Sequence, residues 1–397
     1  MIPRILAEKV RKAACSMPVL GVTGPRQSGK TTLVRSVFSD YAYFNLEDPA
    51  LRLFAREDPR GLLQQGLAEK QGIIIDEAQH VPELFSYVQL WSDERRSVGQ
   101  FVLTGSQHFL LMEKITQSLA GRIALFNLLP LSLEELRQTE FAERDFPFFI
   151  FRGFYPRLYA QEIPVDLFYS SYIATYLQRD VRTLTRVMDL DDFTLFLKLI
   201  AGRTGQLLNK SELSVTAGLS HATVKRWLSI LKTSFVITSL QPYYKNYNKR
   251  LVKSSKIYFY DTGLACNLLS IREEKQLLTH HLLGSLFENF VITELMKHFL
   301  NRGLSPNFYF WRDNAGHEID LLIEYGGKLY PVEIKAARTL RPAFFDNLRF
   351  FKKLAGKEVG TSYLIYGGQQ RQSRSEGIEV RPWNELPNLG EWGMENE

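Results

Sequence analysis

Apolar and polar positions divide the first third of the chain into short buried strands and amphipathic helices. Apolar residues at helical spacing predict a helix at residues 2–13, and a continuous apolar run predicts a strand at residues 19–23. A second helix is predicted at residues 31–38. Further strand-like runs follow at residues 41–46, 72–75, 100–104 and 123–129. Strands of this kind that alternate with helices predict an α/β fold with a parallel sheet.

The middle of the chain changes to short helices followed by two strands. Helices are predicted at residues 210–217 and 220–232, joined by Gly218 and Leu219, with Ser220 as the N-cap of the second helix. This is the spacing of a helix-turn-helix unit. Strand-like runs follow at residues 235–243 and 256–260. These two strands would complete a winged helix.

Two strand-like runs near the C-terminal end predict a hairpin. They occupy residues 317–325 and 328–336 and surround a Gly-Gly pair, which favours a two-residue turn. Pairing about that turn places Asp320 opposite Glu333, with Lys335 on the same face. Two directly opposed carboxylates repel each other. We expect a divalent cation between them to remove that repulsion.

The composition is that of an ordinary globular protein with several domains. The chain has 397 residues, of which 45% are hydrophobic and 23% charged, and this length favours two or three domains. The net charge of +6 permits a polyanionic partner. No apolar run reaches the length of a membrane span and the first residues lack a signal-peptide core, so we expect a cytoplasmic protein with no membrane partner. Cys15 and Cys266 have no motif around them, so neither a disulfide framework nor a zinc site is expected.

Residues 24–31 fit the phosphate-binding loop pattern G-x-x-x-x-G-K-[ST] without a mismatch. They lie between a predicted strand and a predicted helix, where backbone N–H groups and the helix dipole hold an anion. Lys30 would reach the β- and γ-phosphates of ATP, and the Thr31 hydroxyl would bind Mg²⁺. The nucleotide-binding residues that we predict are Gly24, Pro25, Arg26, Gln27, Ser28, Gly29, Lys30, Thr31, Thr32 and Thr104.

Two further strands end in polar residues that suit ATP hydrolysis. The strand at residues 72–75 is followed by Asp76, which would hold Mg²⁺ through its coordinated water, and by Glu77, which would polarise the attacking water. Thr104 and Ser106, at the end of the next strand, would orient that water or sense the γ-phosphate. A polar turn after a strand is the alternative interpretation of these last two residues.

A basic and aromatic segment lies between the two strands of the predicted winged helix. Residues 243–256 contain five basic residues, three tyrosines and no acid. Long cations interleaved with aromatic rings favour contact with phosphates and stacking on bases. The DNA-binding candidates are Lys225, Arg226, Lys249, Arg250 and Lys253. A solvated run of charges, or a winged helix that binds protein, is the alternative interpretation.

Asp320, followed by Glu333-x-Lys335 on the next strand, has the arrangement of the PD-(D/E)xK nucleases. Asp320 and Glu333 would bind Mg²⁺, and Lys335 would position or deprotonate the water and stabilise charge on the phosphate. Glu288, on a helix before this hairpin, would complete the metal ligands. Two alternatives stand beside this reading: an ordinary hairpin with a charged face, and a nuclease fold that keeps its acids but cuts nothing.

These motifs together resemble a widespread family of bacterial and archaeal AAA-type ATPases, in which a nucleotide-binding domain precedes a C-terminal domain with a restriction-endonuclease-like core. The segments that carry the resemblance are residues 23–32, 75–77, 103–106, 118–122, 176–180, 260–264, 287–289, 318–320 and 333–335. The resemblance implies ATP hydrolysis in a homo-oligomeric ring, with Arg122 as the arginine finger that reaches a neighbouring subunit. Arg95 and Arg96 compete for that role, and Arg157 or Arg179 would sense nucleotide from a lid.

We expect an AAA+ P-loop domain at residues 1–136, a helical lid or connector at 137–190, a winged helix at 191–270 and a nuclease-like α/β domain at 271–397. The predicted function is a Mg-dependent ATPase that acts on duplex or branched DNA and carries a nuclease or a nuclease-derived DNA-binding domain. A motor or clamp that does not cut DNA is the first rival interpretation. A nucleotide-switched signalling or scaffold ATPase with protein partners is the second.

Overall fold

A parallel sheet of five strands forms the core of the N-terminal part in the computed structural model. The structure describes residues 2–68, 70–95, 97–106, 118–177, 190–244 and 254–386. The strands are β1 (Val19–Thr23), β2 (Ala42–Asn45), β3 (Ile73–Asp76), β4 (Phe101–Gly105) and β5 (Ile123–Asn127), in the spatial order β2-β3-β4-β1-β5. Every position of β1, β3 and β4 is buried. The predicted parallel sheet is therefore confirmed.

Helices cover both faces of this sheet. They are α1 (Leu6–Ala14), α2 (Lys30–Val37), α3 (Pro49–Glu57), α4 (Pro59–Ala68) and α5 (Leu84–Arg95). Because successive side chains of a strand point to opposite faces, the strands divide their apolar residues between two clusters. One cluster joins the sheet to α1 and α2, and the other joins it to α3, α4 and α5.

Four short helices follow the first sheet. They are α6 (Leu133–Leu136), α7 (Phe146–Arg152), α8 (Pro156–Ala160) and α9 (Val165–Tyr172), and a π-helical turn at Ile173–Leu177 extends the last one. A capping box of Ser132 and Glu135 begins α6. Between residues 133 and 172 the aromatic side chains are buried or half-buried, and Tyr155, Tyr169 and Tyr172 are buried.

The predicted helix pair is present and is preceded by another helix. These helices are α10 (Leu190–Ala201), α11 (Lys210–Ala217) and α12 (His221–Thr233). Gly218 ends α11 in the left-handed region with φ 66°, and the Ser220 side chain caps α12 by accepting a 3.1 Å hydrogen bond from the Thr223 N–H. Two antiparallel strands follow, β6 (Ile237–Pro242) and β7 (Lys256–Phe259). The helix pair and its strands are confirmed, whereas their identity as a winged helix stays a prediction.

The C-terminal part continues the sheet that β6 and β7 begin. Its elements are α13 (Thr262–Leu268), α14 (Glu274–Thr279), α15 (Leu283–Asn301), β8 (Phe308–Arg312), β9 (Glu318–Tyr325), β10 (Lys328–Lys335), α16 (Asp346–Ala355), β11 (Ser362–Tyr366), β12 (Gln372–Arg374) and β13 (Ile378–Pro382). The sheet has eight strands in the order β12-β13-β11-β10-β9-β8-β6-β7, and β6 runs parallel to β8. The predicted domain boundary between residues 270 and 271 therefore does not separate two sheets.

One hydrophobic cluster runs through the middle and C-terminal parts, from Leu131 to Leu386. The helix α15 lies within it and is apolar on several sides, so that Phe287, Phe290 and Leu295 are all fully buried. Its buried residues, which also include Asn289, Glu294 and Lys297, lie on all sides of the helix, as expected of a helix in a protein interior. Among the described helices, none is long and apolar enough to span a bilayer.

The hairpin of β9 and β10 has the predicted register. Lys328 pairs with Tyr325 and Val332 pairs with Leu321, so the next step along the ladder sets Asp320 beside Glu333. The turn contains Gly326 and Gly327, whose φ values of 55° and 72° lie in the left-handed region that a tight hairpin turn needs. The alternation of apolar residues and the Gly-Gly turn were sufficient for this prediction, because the two strands are adjacent in the sequence.

Candidate functional site

The loop between β1 and α2 has a backbone that only glycine accommodates at its first position. Gly24 has φ 151°, and a Cβ atom there would lie 2.1 Å from the carbonyl oxygen of Leu128. Gly29, with φ 91°, is the left-handed N-cap of α2. The loop therefore turns tightly from the strand end into the helix N-terminus, which is the geometry that holds phosphate.

Lys30 is buried inside this loop, and its Nζ atom donates hydrogen bonds to the carbonyl oxygens of Gly24, at 3.0 Å, and Pro25, at 2.8 Å. The next residue, Thr31, donates a 2.8 Å hydrogen bond from its hydroxyl to Oδ2 of Asp76 at the end of β3. A hydroxyl and a carboxylate are ligands that suit Mg²⁺. The chemistry of this pair therefore fits the predicted magnesium site.

Asp76 is held by hydroxyl donors from three directions. Besides Thr31, it accepts a 2.6 Å hydrogen bond from the Tyr43 hydroxyl on β2 and another from the Thr104 hydroxyl on β4. Burial and this hydrogen bond to Asp76 raise the pKa of Tyr43, which keeps the phenol protonated as a donor. Tyr43 was not singled out in the sequence, since a lone tyrosine in a strand carries no motif.

Glu77 begins a short turn and stands in the left-handed region with φ 52°. Its Oε2 accepts a 2.9 Å hydrogen bond from the Ser106 hydroxyl and another from the Gln79 amide. The backbone N–H of Glu77 donates to the Thr104 hydroxyl at 3.4 Å. The predicted residues Glu77, Thr104 and Ser106 are thus brought together at the ends of β3 and β4.

A cavity of about 780 Å³ extends from the loop towards α1 and α8. Its lining includes the charged and polar residues Lys30, Thr31 and Glu77, together with apolar residues such as Pro3, Ala7, Leu131, Pro156 and Ala160. A largely apolar cavity with a few convergent charged and polar groups is the kind of site that binds a ligand of nucleotide size.

The predicted nucleotide-binding residues divide by their relation to this cavity. Those that line it are Arg26, Gln27, Gly29, Lys30, Thr31 and Thr32. Gly24, Pro25 and Ser28 shape the loop, and Thr104 is buried beside Asp76. The motif therefore supplies part of the cavity lining, and other segments of the chain supply the rest.

Arg4 is a site residue that the sequence did not reveal. Its guanidinium donates to the Ser28 carbonyl oxygen in the loop at 2.7 Å, to the Leu129 carbonyl oxygen at 2.7 Å, and to Oε1 of Glu135 at 2.9 Å. Arg4 also lines the cavity. Its partners lie far away in the chain, so no spacing rule could have identified it.

The candidate arginines stand in different places. Arg122 lies outside the cavity lining and forms a two-pronged ion pair with Asp93, at 2.6 and 3.0 Å. Arg95 lies over the Trp91 ring. Arg157 lines the cavity and donates to Gln161 at 2.9 Å. Arg96 and Arg179 lie outside the described residues.

The C-terminal acids Asp320 and Glu333 are bridged by Lys335. Its Nζ lies 3.3 Å from Oδ2 of Asp320 and 2.7 Å from Oε1 of Glu333, and Asp320 also accepts a 2.8 Å hydrogen bond from the Ile334 N–H. Burial, together with the charge of Asp320, raises the pKa of Glu333 to about 8. The Lys335 ammonium group and the raised pKa of Glu333 both reduce the repulsion between the two carboxylates. A divalent cation at this pair stays a prediction.

Glu288 does not join Asp320 and Glu333 as a third ligand in one group. Its Oε1 accepts hydrogen bonds from Lys256 at 2.9 Å and from the Tyr258 hydroxyl at 2.5 Å, and Lys256 also pairs with Glu318. Burial raises the pKa of Glu288 to about 7. Within the described ranges, no three His, Cys, Asp or Glu side chains are close enough together to hold a metal ion. Asp320, Glu333 and Lys335 are therefore the predicted nuclease-like residues that lie together.

The DNA-binding candidates are only partly described. Lys225 and Arg226 are exposed on α12. The other three, Lys249, Arg250 and Lys253, lie outside the described residues.

Three family profiles match the chain in succession. An AAA domain matches residues 16–137, a domain of unknown function (DUF8612) matches residues 143–275, and another domain of unknown function (DUF4143) matches residues 283–386. The prediction of an AAA-type P-loop ATPase domain is thereby confirmed. The restriction-endonuclease-like core stays a prediction, since the function of the third domain is unknown.

Curated relatives span most of the chain. Uncharacterised proteins of Mycobacterium tuberculosis and Mycobacterium bovis are each 32% identical over 395 residues, which covers 98% of this chain and 85% of theirs. An uncharacterised protein of Haemophilus influenzae is 23% identical over 388 residues, covering 90% of this chain and 91% of its own.

Solved structures show partial similarity. A Walker-type ATPase of Pyrococcus abyssi has a TM-score of 0.45 and 16% identity, covering 66% of this chain and 94% of its own. AMPPCP-bound DnaA from Aquifex aeolicus has a TM-score of 0.32 and 10% identity, covering 57% of this chain and 86% of its own.

Proposed function

This chain belongs to the same family as the two mycobacterial proteins, and from that premise we propose that it is a Mg²⁺-dependent ATPase that acts on DNA. The observation that carries the proposal is the cavity in which Lys30, Thr31 and Glu77 face one nucleotide-sized space. ATP would enter with its base among the apolar residues of α1 and α8 and its phosphates in the loop. Lys30 would exchange its two carbonyl partners for the β- and γ-phosphates.

The residues at the strand ends would carry the hydrolysis. Magnesium, held by Thr31 and through Asp76, would neutralise charge on the β- and γ-phosphates. Glu77 would accept a proton from the attacking water. Ser106 and Gln79 hold the Glu77 carboxylate in place, so that its basic oxygen has a fixed direction. Arg157, on the wall formed by α8, would sense the nucleotide from the lid.

Hydrolysis is tested with Lys30→Ala and Glu77→Gln. We expect turnover to fall about 100-fold or more in Glu77→Gln, because general base catalysis is lost, while binding of a non-hydrolysable ATP analogue is retained. Lys30→Ala should lose both turnover and tight binding. Unchanged turnover in both variants would place the hydrolytic site elsewhere.

We propose Arg122 as a finger that acts on a neighbouring subunit in a homo-oligomer. Arg122 lies outside the cavity of its own chain and is paired with Asp93 near the surface, with its side chain 34% exposed. In the oligomer it would exchange Asp93 for the γ-phosphate of the neighbour's ATP. Glu77→Gln subunits keep the finger, and Arg122→Ala subunits keep the site. Mixing these two inactive variants should restore part of the turnover, whereas an additive result would reject a finger acting between subunits.

DNA is the proposed substrate of the ATPase. The helix pair α11 and α12, the exposed Lys225 and Arg226, and the basic segment that follows β6 support a nucleic-acid contact. ATP hydrolysis should increase when duplex, single-stranded or four-way DNA is added. Turnover that responds to no DNA, together with unchanged DNA binding after charge reversal at Lys249, Arg250 and Lys253, would favour the nucleotide-switched protein-binding alternative.

A second proposal concerns the C-terminal hairpin. Asp320, Glu333 and Lys335 stand together as two acids and a lysine, which supports a nuclease-derived domain. Magnesium or manganese would have to compete with the Lys335 ammonium for the two carboxylates. A cleavage gel with Mg²⁺ or Mn²⁺ tests this, with Asp320→Ala as the comparison. Cleavage by the wild type that is lost in Asp320→Ala would establish a nuclease. ATP turnover that DNA stimulates without any cleavage would favour a motor or clamp whose nuclease-like fold no longer cuts DNA.

A further inference from the structure

A second cavity lies in the middle part of the chain, apart from the nucleotide cavity. It has a volume of about 540 Å³ and is bordered by the start of α11, one face of α12, the end of β6 and the residues just before β7. Its polar side chains include Lys210, Lys225, Lys232, Ser229, Ser254 and Ser255. Within the part of the chain that the structure describes, no Asp or Glu lines it.

The sequence of α12 aims two of these lysines into the same space. Lys225, Ser229 and Lys232 follow one another at intervals of four and three residues, so they lie on one face of the helix. The rest of the helix carries Val224, Trp227 and Leu231, which are buried in the core. The cations are thus fixed to a helix that is itself anchored by packing.

The other walls are fixed by backbone hydrogen bonds. The Leu208 N–H donates to the Ser255 carbonyl oxygen at 2.8 Å, which ties the start of α11 to the residues before β7. Asn209 caps α11 by accepting a 3.1 Å hydrogen bond from the Glu212 N–H. The Glu212 side chain is paired with Arg203 at 3.0 Å and does not line the cavity.

Lys232 shows the electrostatic consequence of this arrangement. Its Nζ donates a 2.8 Å hydrogen bond to the Ser239 hydroxyl, which is a neutral partner. Burial and the charge of Lys210 lower the pKa of Lys232. An anion placed among the lysines would compensate both effects, because it supplies the opposite charge that the protein walls lack.

We propose that this cavity is a binding site for a phosphate group, held by Lys210, Lys225 and Lys232 with the serine hydroxyls as further donors. Ammonium groups act as point charges for phosphate, and hydroxyls complete the hydrogen bonds to its oxygens. The phosphate belongs either to the backbone of DNA or to a free phosphorylated compound. The first source would deepen the DNA contact proposed above, but the site itself does not depend on it.

The first arm of the test measures duplex DNA binding by fluorescence anisotropy over a series of salt concentrations. Lys210→Ala, Lys225→Ala and Lys232→Ala are compared with Lys357→Ala, which removes an exposed lysine on the C-terminal part of the chain. Each cavity variant should reduce the slope of log affinity against log salt by about one, and Lys357→Ala should leave it unchanged. Lys232→Arg keeps the charge and should restore binding. Circular dichroism confirms that each variant is folded.

The second arm measures heat on titration with pyrophosphate. Lys30→Ala is used as the background because it weakens the phosphate site in the ATPase loop, and it is compared with Lys30→Ala combined with Lys232→Ala. The site is supported if pyrophosphate releases heat with Lys30→Ala and this heat is lost with the double variant. If that loss occurs while DNA binding is unaffected by the cavity variants, a free phosphorylated compound is the source.

The outcomes separate this proposal from the proposed DNA function. The phosphate site would be overturned if Lys30→Ala and the double variant gave equal heat with pyrophosphate and the cavity variants bound DNA as the wild type does. DNA binding by the wild type would still stand in that case. Absence of DNA binding in every protein, with pyrophosphate heat that depends on Lys232, would reject the DNA contact and keep the site.

Discussion

Arg4 offers the sharpest test of how the nucleotide cavity is held together. Its side chain is 8% exposed, and the side chain of its partner Glu135 is fully buried. Replacing one member of a buried ion pair costs about 3–5 kcal/mol, because the other charge is left without its partner. Glu135 keeps hydrogen bonds from the Ile5 and Ser132 N–H groups, each at 3.0 Å. We therefore expect Arg4→Ala to cost about 3 kcal/mol, the lower end of that range.

Arg4→Ala should also weaken ATP binding. The hydrogen bond from Arg4 to the Ser28 carbonyl oxygen is charge-assisted, and such bonds contribute about 1.5–3 kcal/mol. The loop is less ordered without this hydrogen bond. If that costs ATP binding about 1.4 kcal/mol, the dissociation constant of ATP rises about tenfold. Arg4→Lys should recover little of this, since one ammonium group cannot reach three separate acceptors.

Thermal unfolding and titration with a fluorescent ATP analogue measure these two effects. A cost of about 3 kcal/mol lowers the unfolding temperature of a domain of about 150–250 residues by about 6–12 °C, and we expect a shift of that order here. Lys12→Ala is the matched control, because Lys12 forms an exposed pair with Glu8 one turn away on α1, and such pairs contribute about 0–1 kcal/mol. If Arg4→Ala lowered the unfolding temperature no more than Lys12→Ala, the idea that Arg4 anchors the loop would be refuted.

Three other variants test separate features. Gly24→Ala should destabilise the protein by about 2 kcal/mol or more and abolish binding of the ATP analogue, because the new Cβ would meet a backbone carbonyl oxygen; thermal unfolding checks this. Lys256→Met should lower stability by about 3 kcal/mol, since it leaves Glu288 without its buried partner, and Lys256→Met combined with Glu288→Gln should recover part of the loss in urea unfolding. Although burial opposes it, hydrogen bonding to His298 and Arg302 holds the pKa of Glu134 at about 2. The stability that wild type has over Glu134→Gln, about 1–2 kcal/mol after allowing for solvent screening, should therefore be present at pH 7, shrink below about pH 5 and vanish near pH 2; a difference that does not change with pH would contradict this.

Local sequence signals predicted most of the elements that form the nucleotide site. The strand β1, the loop after it and the helix α2 follow one another within 20 residues, and each has its own signal in an apolar run, paired glycines or Lys-Thr. The polar residues at the ends of β3 and β4 were also found from a local signal, since each directly follows an apolar run. Because parallel strands end at one edge of a sheet, placing Asp76 and Glu77 near the loop needed only the fold class.

Contacts between distant parts of the chain could not be predicted. Arg4 reaches Glu135, and Lys256 reaches Glu288, across separations that no periodicity encodes. Glu288, the predicted third metal ligand, illustrates this. It lies on a helix before the hairpin, as predicted, but the sequence did not show that Lys256 from β7 forms an ion pair with it. A buried acid pairs with whichever charged side chain the neighbouring helix or strand brings to it. The sequence does not show which helices and strands are neighbours.

The eight-stranded sheet has a consequence for how this family could have been assembled. The two domains of unknown function meet in sequence between residues 275 and 283, yet β6 of the first pairs with β8 of the second. A recombination event at that junction would leave one edge of β8 with unpaired N–H and C=O groups and would divide a single hydrophobic core, and exposed edges of this kind invite aggregation. The two segments are therefore not interchangeable modules. We expect neither segment to fold without the other, because each supplies a strand and core side chains that the other needs.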